Sequence, residues 1–168
     1  MVVYLFNFNT CQDLALLEIG DQQCSPLYAF GPNIRNEYIF HYVVSGKGVV
    51  MLQPSGEKGQ NILSETIEVK AGEGFLLEPN TAHMYRADEN DPWHYIWIVF
   101  TGLSVPSYLR ACGLTRNNPV FYPQSYAHAV SSHVREPLRQ ILGHPDASKA
   151  FIIGQLHLFF DGLMENTA

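Results

Sequence analysis

The chain has 168 residues, of which 46% are hydrophobic and 15% are charged. This length allows one substantial hydrophobic core with an appendage, and it argues against two independent domains. The net charge of −6 excludes strong nucleic-acid binding by this chain alone, because phosphate binding needs clustered Lys and Arg and only ten are scattered here.

The cysteines and the N-terminal sequence indicate the cellular compartment of the protein. Cys11, Cys24 and Cys112 have no Cys-x-x-Cys spacing, which favours a reducing compartment over a disulfide framework. The first residues lack a basic stretch followed by a long apolar run, and no segment has the roughly eighteen apolar residues of a membrane span. We therefore expect a cytoplasmic protein that does not bind membranes.

Strand patterns dominate residues 36–100. Tyr38–Val44 and Val49–Leu52 are apolar runs separated by a glycine turn. The segment 54–64 is rich in turn formers, so we expect a long exposed connection there. The Gly72–Gly74 turn predicts a tight hairpin or bulge with a positive φ.

The strand at Trp93–Phe100 ends this region and is apolar on both faces. Because side chains alternate along a strand, one face carries Trp93, Tyr95, Trp97 and Val99, and the other carries His94, Ile96, Ile98 and Phe100. Such a strand needs cover on each side, as the wall of a barrel packed against helices has. The predicted fold is therefore mainly β, a barrel around a ligand, with C-terminal α-helices.

Helical patterns follow the strands. The segment Val105–Gly113 predicts a short helix that covers the barrel and is capped by Gly113. From Ser125 onward the apolar residues fall on one helical face, and Pro137 is expected to kink this helix or to begin its second half. The members of that face are Val130, Val134, Leu138 and Ile141.

The last helix is predicted to begin at Asp146 as its N-cap. Phe151, Leu158 and Phe160 add apolar surface outside its main stripe, which is more than one barrel flank needs. We therefore predict a two-fold dimer interface formed by Ile152, Leu156, Phe159 and Leu163. The abrupt end after this helix is expected of a truncated chain.

A metal site is the first chemical possibility. His41 and His83 lie on separate predicted strands, but catalytic metal centres usually take three protein ligands. Glu37, the nearest acid, shares a strand with His41 but lies more than about a dozen ångströms away at a rise of about 3.3 Å per residue. Neither a nucleophile elbow nor a phosphate-binding glycine loop is present. We therefore expect no metal, no cofactor and no catalytic residue.

A ligand site is favoured by the aromatic residues. Tyr85, Tyr95 and Trp97 offer ring planes with polar tips, which suit a sugar that stacks its C–H face and hydrogen-bonds through its hydroxyls. Ordinary core aromatics are the alternative. Arg35 precedes the first core strand and either reaches the barrel mouth or stays solvated. The candidate ligand-binding residues are Arg35, His41, His83, Tyr85, Tyr95 and Trp97.

Ordered motifs across the chain carry a family resemblance. They are Phe30-Gly-Pro-x-x-Arg35, Tyr38-x-x-His-Tyr-Val-x-Ser-Gly-Lys-Gly48, Ala71-Gly-Glu-Gly-Phe-Leu-Leu-x-Pro79, Tyr85-x-Ala-Asp88 and Pro92-Trp-x-Tyr-x-Trp-x-x-Phe-x-Gly102. This pattern resembles the N-terminal domain of AraC-type transcription regulators, above all the multiple-sugar-metabolism regulators.

The resemblance implies a domain organisation. Residues 1–122 would form a cupin-like or jelly-roll barrel that binds an effector, with a short helix near 105–113. Residues 123–168 would form a helical dimerisation segment. In the family a helix-turn-helix DNA-binding domain follows, which this chain does not contain, so the homodimer would reach promoter DNA only through that domain.

The resemblance also implies a function without catalysis. The effector of such domains is usually a sugar, here a mono- or oligosaccharide, although other members sense urea, virulence signals or fatty acids. Tyr85, Tyr95 and Trp97 fall where arabinose-responsive members place ligand-lining residues, whereas Arg35 matches only across a gap. Two alternatives stay open: a metal-dependent cupin enzyme such as an isomerase or dioxygenase, and an interaction module whose barrel is filled by its own side chains.

Overall fold

The computed structural model describes residues 1–7, 13–53, 65–126 and 133–166. The strands in these ranges are β1 Val2–Leu5, β2 Ala15–Gln23, β3 Ala29–Asn33, β4 Tyr38–Ser45, β5 Lys47–Leu52, β6 Glu65–Lys70, β7 Gly74–Leu77, β8 His83–Ala87, β9 His94–Thr101 and β10 Val120–Phe121. The helices are α1 Val105–Ala111, α2 Arg135–Gly143 and α3 Lys149–Asn166. The predicted connection at 54–64 and the predicted helical position Val130 lie outside the described residues.

The strands form two antiparallel sheets that enclose one core. The first sheet has the order β1-β2-β9-β4-β7-β10, and the second has the order β3-β8-β5-β6. Val43 and Phe75 of the first sheet pack with Val50 and Tyr85 of the second. The predicted mainly β, cupin-like fold with C-terminal helices is confirmed.

The strand β9 is covered on both faces, as its alternation predicts. Tyr95 and Val99 belong to the core between the sheets, and the partly buried Trp97 packs against it. Ile98 and Phe100 belong to a second core that the sheet forms with the helices. Tyr95 and its neighbours are therefore held from behind, which gives the inner wall of the barrel a fixed position.

The apolar stripe of α3 packs against its own sheet. Ile152, Leu156, Phe159 and Leu163 are each at most 1% exposed within the single chain. The ring of Phe159 lies edge-on to Phe40 with centroids 5.3 Å apart. The prediction that these four residues form a dimer interface is therefore wrong, because the apolar outer face of β4 and β9 and the neighbouring helices already cover the whole stripe.

The ends of the helices follow local chemistry. The backbone N–H of Phe151 donates to Oγ of Ser148 at 3.2 Å, so Ser148 is the N-cap of α3 and the prediction of Asp146 is wrong. Pro137 lies in the first turn of α2, where the missing N–H of proline costs no helical hydrogen bond.

Two glycines occupy the left-handed region, as predicted. Gly113 has a φ of +68°, and its N–H donates to the carbonyl of Arg110 at 3.0 Å while Leu114 donates to Leu109 at 2.9 Å. This pair of bonds is the Schellman motif that ends helices. Gly72 has a φ of +87° in the turn before β7.

Within the described ranges, the helices are all too short or too polar to cross a membrane.

Candidate functional site

A cavity of about 130 Å³ lies between the two sheets. Strands β2, β4 and β9 supply one wall, and β3 and β8 supply the other. Its lining includes Arg35, His41, Tyr85, Tyr95 and Trp97, which are five of the six residues predicted from the sequence, and also Glu18, Gln22, Tyr28 and Phe30, which were missed.

Trp97 is placed by its neighbours on β2. Gly20 lies directly opposite it in the strand register, and a Cβ at position 20 would come within 2.1 Å of the indole. Only glycine leaves room for the ring there. The indole Nε1–H donates to Oε1 of Glu18 at 2.7 Å, so the ring is held at its polar edge as well.

Tyr85 and Tyr95 face each other across the two sheets. Their rings meet edge to face with centroids 6.1 Å apart. Burial raises the pKa of both phenols. Each hydroxyl is therefore neutral at physiological pH and is able both to donate and to accept a hydrogen bond.

His41 lies at the buried side of the cavity. Its ring stacks on Phe75 with centroids 4.6 Å apart, and only 1% of the residue is exposed. Burial, with a smaller effect of His83, lowers the pKa of His41 to about 3, so the imidazole is neutral. Its Nδ1 has no hydrogen-bond partner among the described residues, and a buried polar atom of this kind is what a ligand hydroxyl can satisfy.

His83 is not brought into the cavity wall, contrary to the sequence prediction. It is buried behind Tyr85, with ring centroids 6.4 Å apart and the planes nearly parallel. Its Nδ1 lies 3.0 Å from the carbonyl oxygen of Thr81. Burial lowers the pKa of His83. In this position His83 supports the Tyr85 ring rather than touching the cavity.

Arg35 reaches the cavity between two carboxylates. Its Nε lies 3.4 Å from Oε2 of Glu37, and one terminal nitrogen lies 4.0 Å from Oε2 of Glu18. The side chain is 36% exposed. The guanidinium thus sits at the solvent side of the cavity, with its charge compensated by the protein.

The arrangement offers stacking planes, uncharged hydrogen-bonding groups and the ion pair of Arg35 and Glu18 around a small space. Within the described ranges, no group of three or more His, Cys, Asp or Glu side chains is placed to hold a metal ion. The missed residues Glu18 and Gln22 share one face of β2, with Gly20 between them. Their alternation was the available signal, but β2 lies upstream of the segment that the aromatic pattern singled out.

Sequence comparisons find one family. The family model described as the AraC-like ligand binding domain matches residues 17–159. The Msm operon regulatory protein of Streptococcus mutans is 28% identical over 155 residues, covering 91% of this chain and 51% of that protein. The raffinose operon transcriptional regulatory protein RafR of Pediococcus pentosaceus is 34% identical over 87 residues, covering 51% of this chain and 28% of that protein. The chain spans about half the length, or less, of these curated relatives.

Solved structures give weaker likenesses. A protein of Bacillus halodurans has a TM-score of 0.43 and 22% identity, over 50% of this chain and 62% of that one. The oxalate decarboxylase of Lactobacillus farciminis, in its formate complex, has a TM-score of 0.42 and 19% identity, over 54% of this chain and 24% of that one. TM-scores and identities this low carry no argument about the ligand or the activity of this chain.

Proposed function

The chain belongs to the AraC-like ligand-binding domain family, and we propose that it is the effector-binding and dimerisation part of a transcription regulator of carbohydrate metabolism. The names of its relatives, regulators of the Msm, raffinose and lactose operons, support a sugar as effector. In this proposal the chain has no catalytic activity, works in the cytoplasm and contacts promoter DNA only through a separate DNA-binding domain. The net charge of −6 agrees with DNA contact through a separate domain, because an acidic chain does not attract DNA phosphates.

The observation that carries the proposal is the composition of the cavity wall. Trp97, Tyr85 and Tyr95 bring aromatic surface to a space that His41 also lines, and Nδ1 of His41 has no partner among the described residues. Sugars bind through this combination, because their C–H faces stack on rings while their hydroxyls need polar partners. The space of about 130 Å³ is smaller than the roughly 300–1,000 Å³ of most ligand pockets. A sugar would therefore insert only part of one ring and leave the rest of the molecule outside.

A thermal-shift panel of mono- and oligosaccharides tests the proposal. Binding to the folded state alone adds about 2.7 kcal/mol at a hundredfold excess over Kd. For a chain of this size that raises the melting midpoint by roughly 5–10 °C, at about 2–4 °C per kcal/mol. We expect at least one sugar to do so, and we expect Trp97→Ala to abolish the shift. A broad millimolar panel without any shift would refute sugar binding.

The second part of the proposal is a two-fold homodimer through the outer face of α3. Leu158 is 52% exposed and lines two grooves of about 360 Å³ each, one beside α1 and one beside α2. A protruding leucine next to concave surfaces is self-complementary under a two-fold axis, which an isologous contact requires. We therefore propose the outer face of α3 as the dimer interface, in place of the buried stripe that was predicted from the sequence.

Adjacent residues of α3 provide a matched test of the dimer. Leu158→Glu places a charge in the proposed contact and should yield a folded monomer. Phe159→Glu places the same charge in the core of the single chain and should unfold it. Light scattering and circular dichroism measure both. A wild type that is monomeric at tens of micromolar, or a Leu158→Glu variant that stays dimeric, would contradict the dimer proposal.

A further inference from the structure

The proposed sugar site contains a carboxylate that the sequence analysis missed, and we propose that this residue, Glu18, determines the specificity of the site. Glu18 fixes the stacking face of Trp97, and its charge makes the site select uncharged, hydroxyl-rich ligands over phosphorylated or acidic ones. This inference rests on the proposed function, since it names the class of sugar that the cavity takes.

Glu18 connects the two sides of the site. One carboxylate oxygen accepts the indole N–H of Trp97 at 2.7 Å, and the other lies 4.0 Å from the guanidinium of Arg35. The side chain is only 21% exposed. Hydrogen bonds to an ionised acceptor are shorter and stronger than those between neutral groups. The rotation of the indole is therefore set by Glu18, while Gly20 lets the ring lie against β2.

The charges around the cavity disfavour an anionic ligand. Among the side chains that line the cavity, Arg35 is the positively charged one, and it already lies within 4.0 Å of both Glu18 and Glu37. His41 adds no positive charge, because burial lowers its pKa to about 3. A phosphate that approaches Arg35 therefore meets the carboxylate of Glu18, and like charges repel more strongly in a shielded site than in water.

An uncharged sugar is not repelled by the carboxylate of Glu18. A carboxylate has about four acceptor positions, so Glu18 can accept a ligand hydroxyl while it keeps the indole N–H. The neutral phenols of Tyr85 and Tyr95 and the neutral imidazole of His41 offer further partners. Each of these groups serves a hydroxyl without requiring charge on the ligand.

Matched ligand series test the inference by calorimetric titration at fixed pH and ionic strength. Galactose, galactose 6-phosphate and galacturonic acid form one series, and the corresponding glucose compounds form the other. We expect the wild type to bind the neutral member of a series at least tenfold more tightly than its anionic relatives.

Two substitutions separate the charge of Glu18 from its hydrogen bond. Glu18→Gln keeps an acceptor for the indole but removes the charge, so the preference for the neutral sugar over its phosphate should fall at least tenfold. Glu18→Ala also removes the acceptor, so neutral affinity should fall tenfold or more and the tryptophan emission should change. Glu68→Gln is the control, because that side chain is 62% exposed on β6 and should alter nothing.

The outcomes distinguish this inference from the proposed function. A wild type that binds no member of either series, and no sugar of the broader panel, overturns both. Equal binding of a sugar and its phosphate overturns the role of Glu18 and leaves sugar binding intact. If Glu18→Gln is folded by circular dichroism and still prefers the neutral sugar over its phosphate as strongly as the wild type, the role of Glu18 is overturned and sugar binding is left intact.

Discussion

Gly20→Ala is a small change that should close the ligand site. A Cβ at position 20 would lie 2.1 Å from the nearest indole carbon of Trp97, whereas carbon atoms in contact are about 3.5–4.0 Å apart. The ring must therefore move by about 1.5 Å, and the direction away from β2 leads into the cavity. Such a shift also breaks the 2.7 Å hydrogen bond to Glu18.

The expected effects of Gly20→Ala differ for stability and binding. Overpacking of this kind costs about 1–3 kcal/mol of unfolding free energy, which leaves a domain of this size folded. Ligand affinity should fall at least tenfold, about 1.4 kcal/mol, because the displaced indole occupies the space of the ligand. Urea unfolding measures the first quantity, and calorimetric titration of the folded variant with a sugar from the panel measures the second.

Gly143→Ala provides the matched control, since a Cβ there meets no atom within 4 Å. It should leave affinity unchanged and alter stability by less than about 1 kcal/mol. If Gly20→Ala bound the sugar as tightly as the wild type, with the same tryptophan emission, the placement of Trp97 against Gly20 would be refuted.

Three further predictions concern stability, each measured by urea unfolding. Phe159→Ala should lower the unfolding free energy by about 3–5 kcal/mol because the ring is fully buried, and a loss below 1 kcal/mol would contradict its place in the core. Burial lowers the pKa of His41 to about 3, so the unfolded state binds its proton more readily. Stability should therefore fall as the pH drops below about 6.5, by up to about 1.4 kcal/mol per pH unit, and His41→Phe should reduce that slope; equal slopes would contradict the assignment. Tyr126→Phe removes a hydroxyl that donates to buried Glu73 and should lower the unfolding free energy by about 1.5–3 kcal/mol. An unchanged unfolding free energy would contradict this contact.

The barrel and much of the site were predictable because their signals are local. Along β9, alternation alone places Tyr95 and Trp97 on one face, and the structure puts that face on the cavity. The turn glycines Gly72 and Gly113 were predictable for the same reason, since positive φ values favour glycine over other residues.

The errors arose where the sequence leaves equivalent choices. The apolar stripe of α3 has the same spacing whether it packs on a partner or on its own sheet, so Phe159 was assigned to the wrong contact. Asp146 and Ser148 are both good N-caps, and only the hydrogen bond to Phe151 distinguishes them.

Glu18 was missed for a different reason. It meets Trp97 across 79 positions of sequence, and that contact depends on the register between β2 and β9. A strand register over such a distance is set by the packing of the whole sheet rather than by a local pattern. His83 was misplaced for another reason, since its alternation with Tyr85 gives the strand face correctly but does not show that His83 lies behind the Tyr85 ring.

The most direct test of sugar binding in this cavity uses the two tryptophans of the chain. Trp97 lines the cavity, whereas Trp93 is fully buried beside it. We expect that a sugar identified by thermal shift changes the tryptophan emission of the wild type and of Trp93→Phe, and that the change is lost in Trp97→Phe. If the change survived in Trp97→Phe with unaltered affinity, the ligand would bind elsewhere and the assigned site would be wrong.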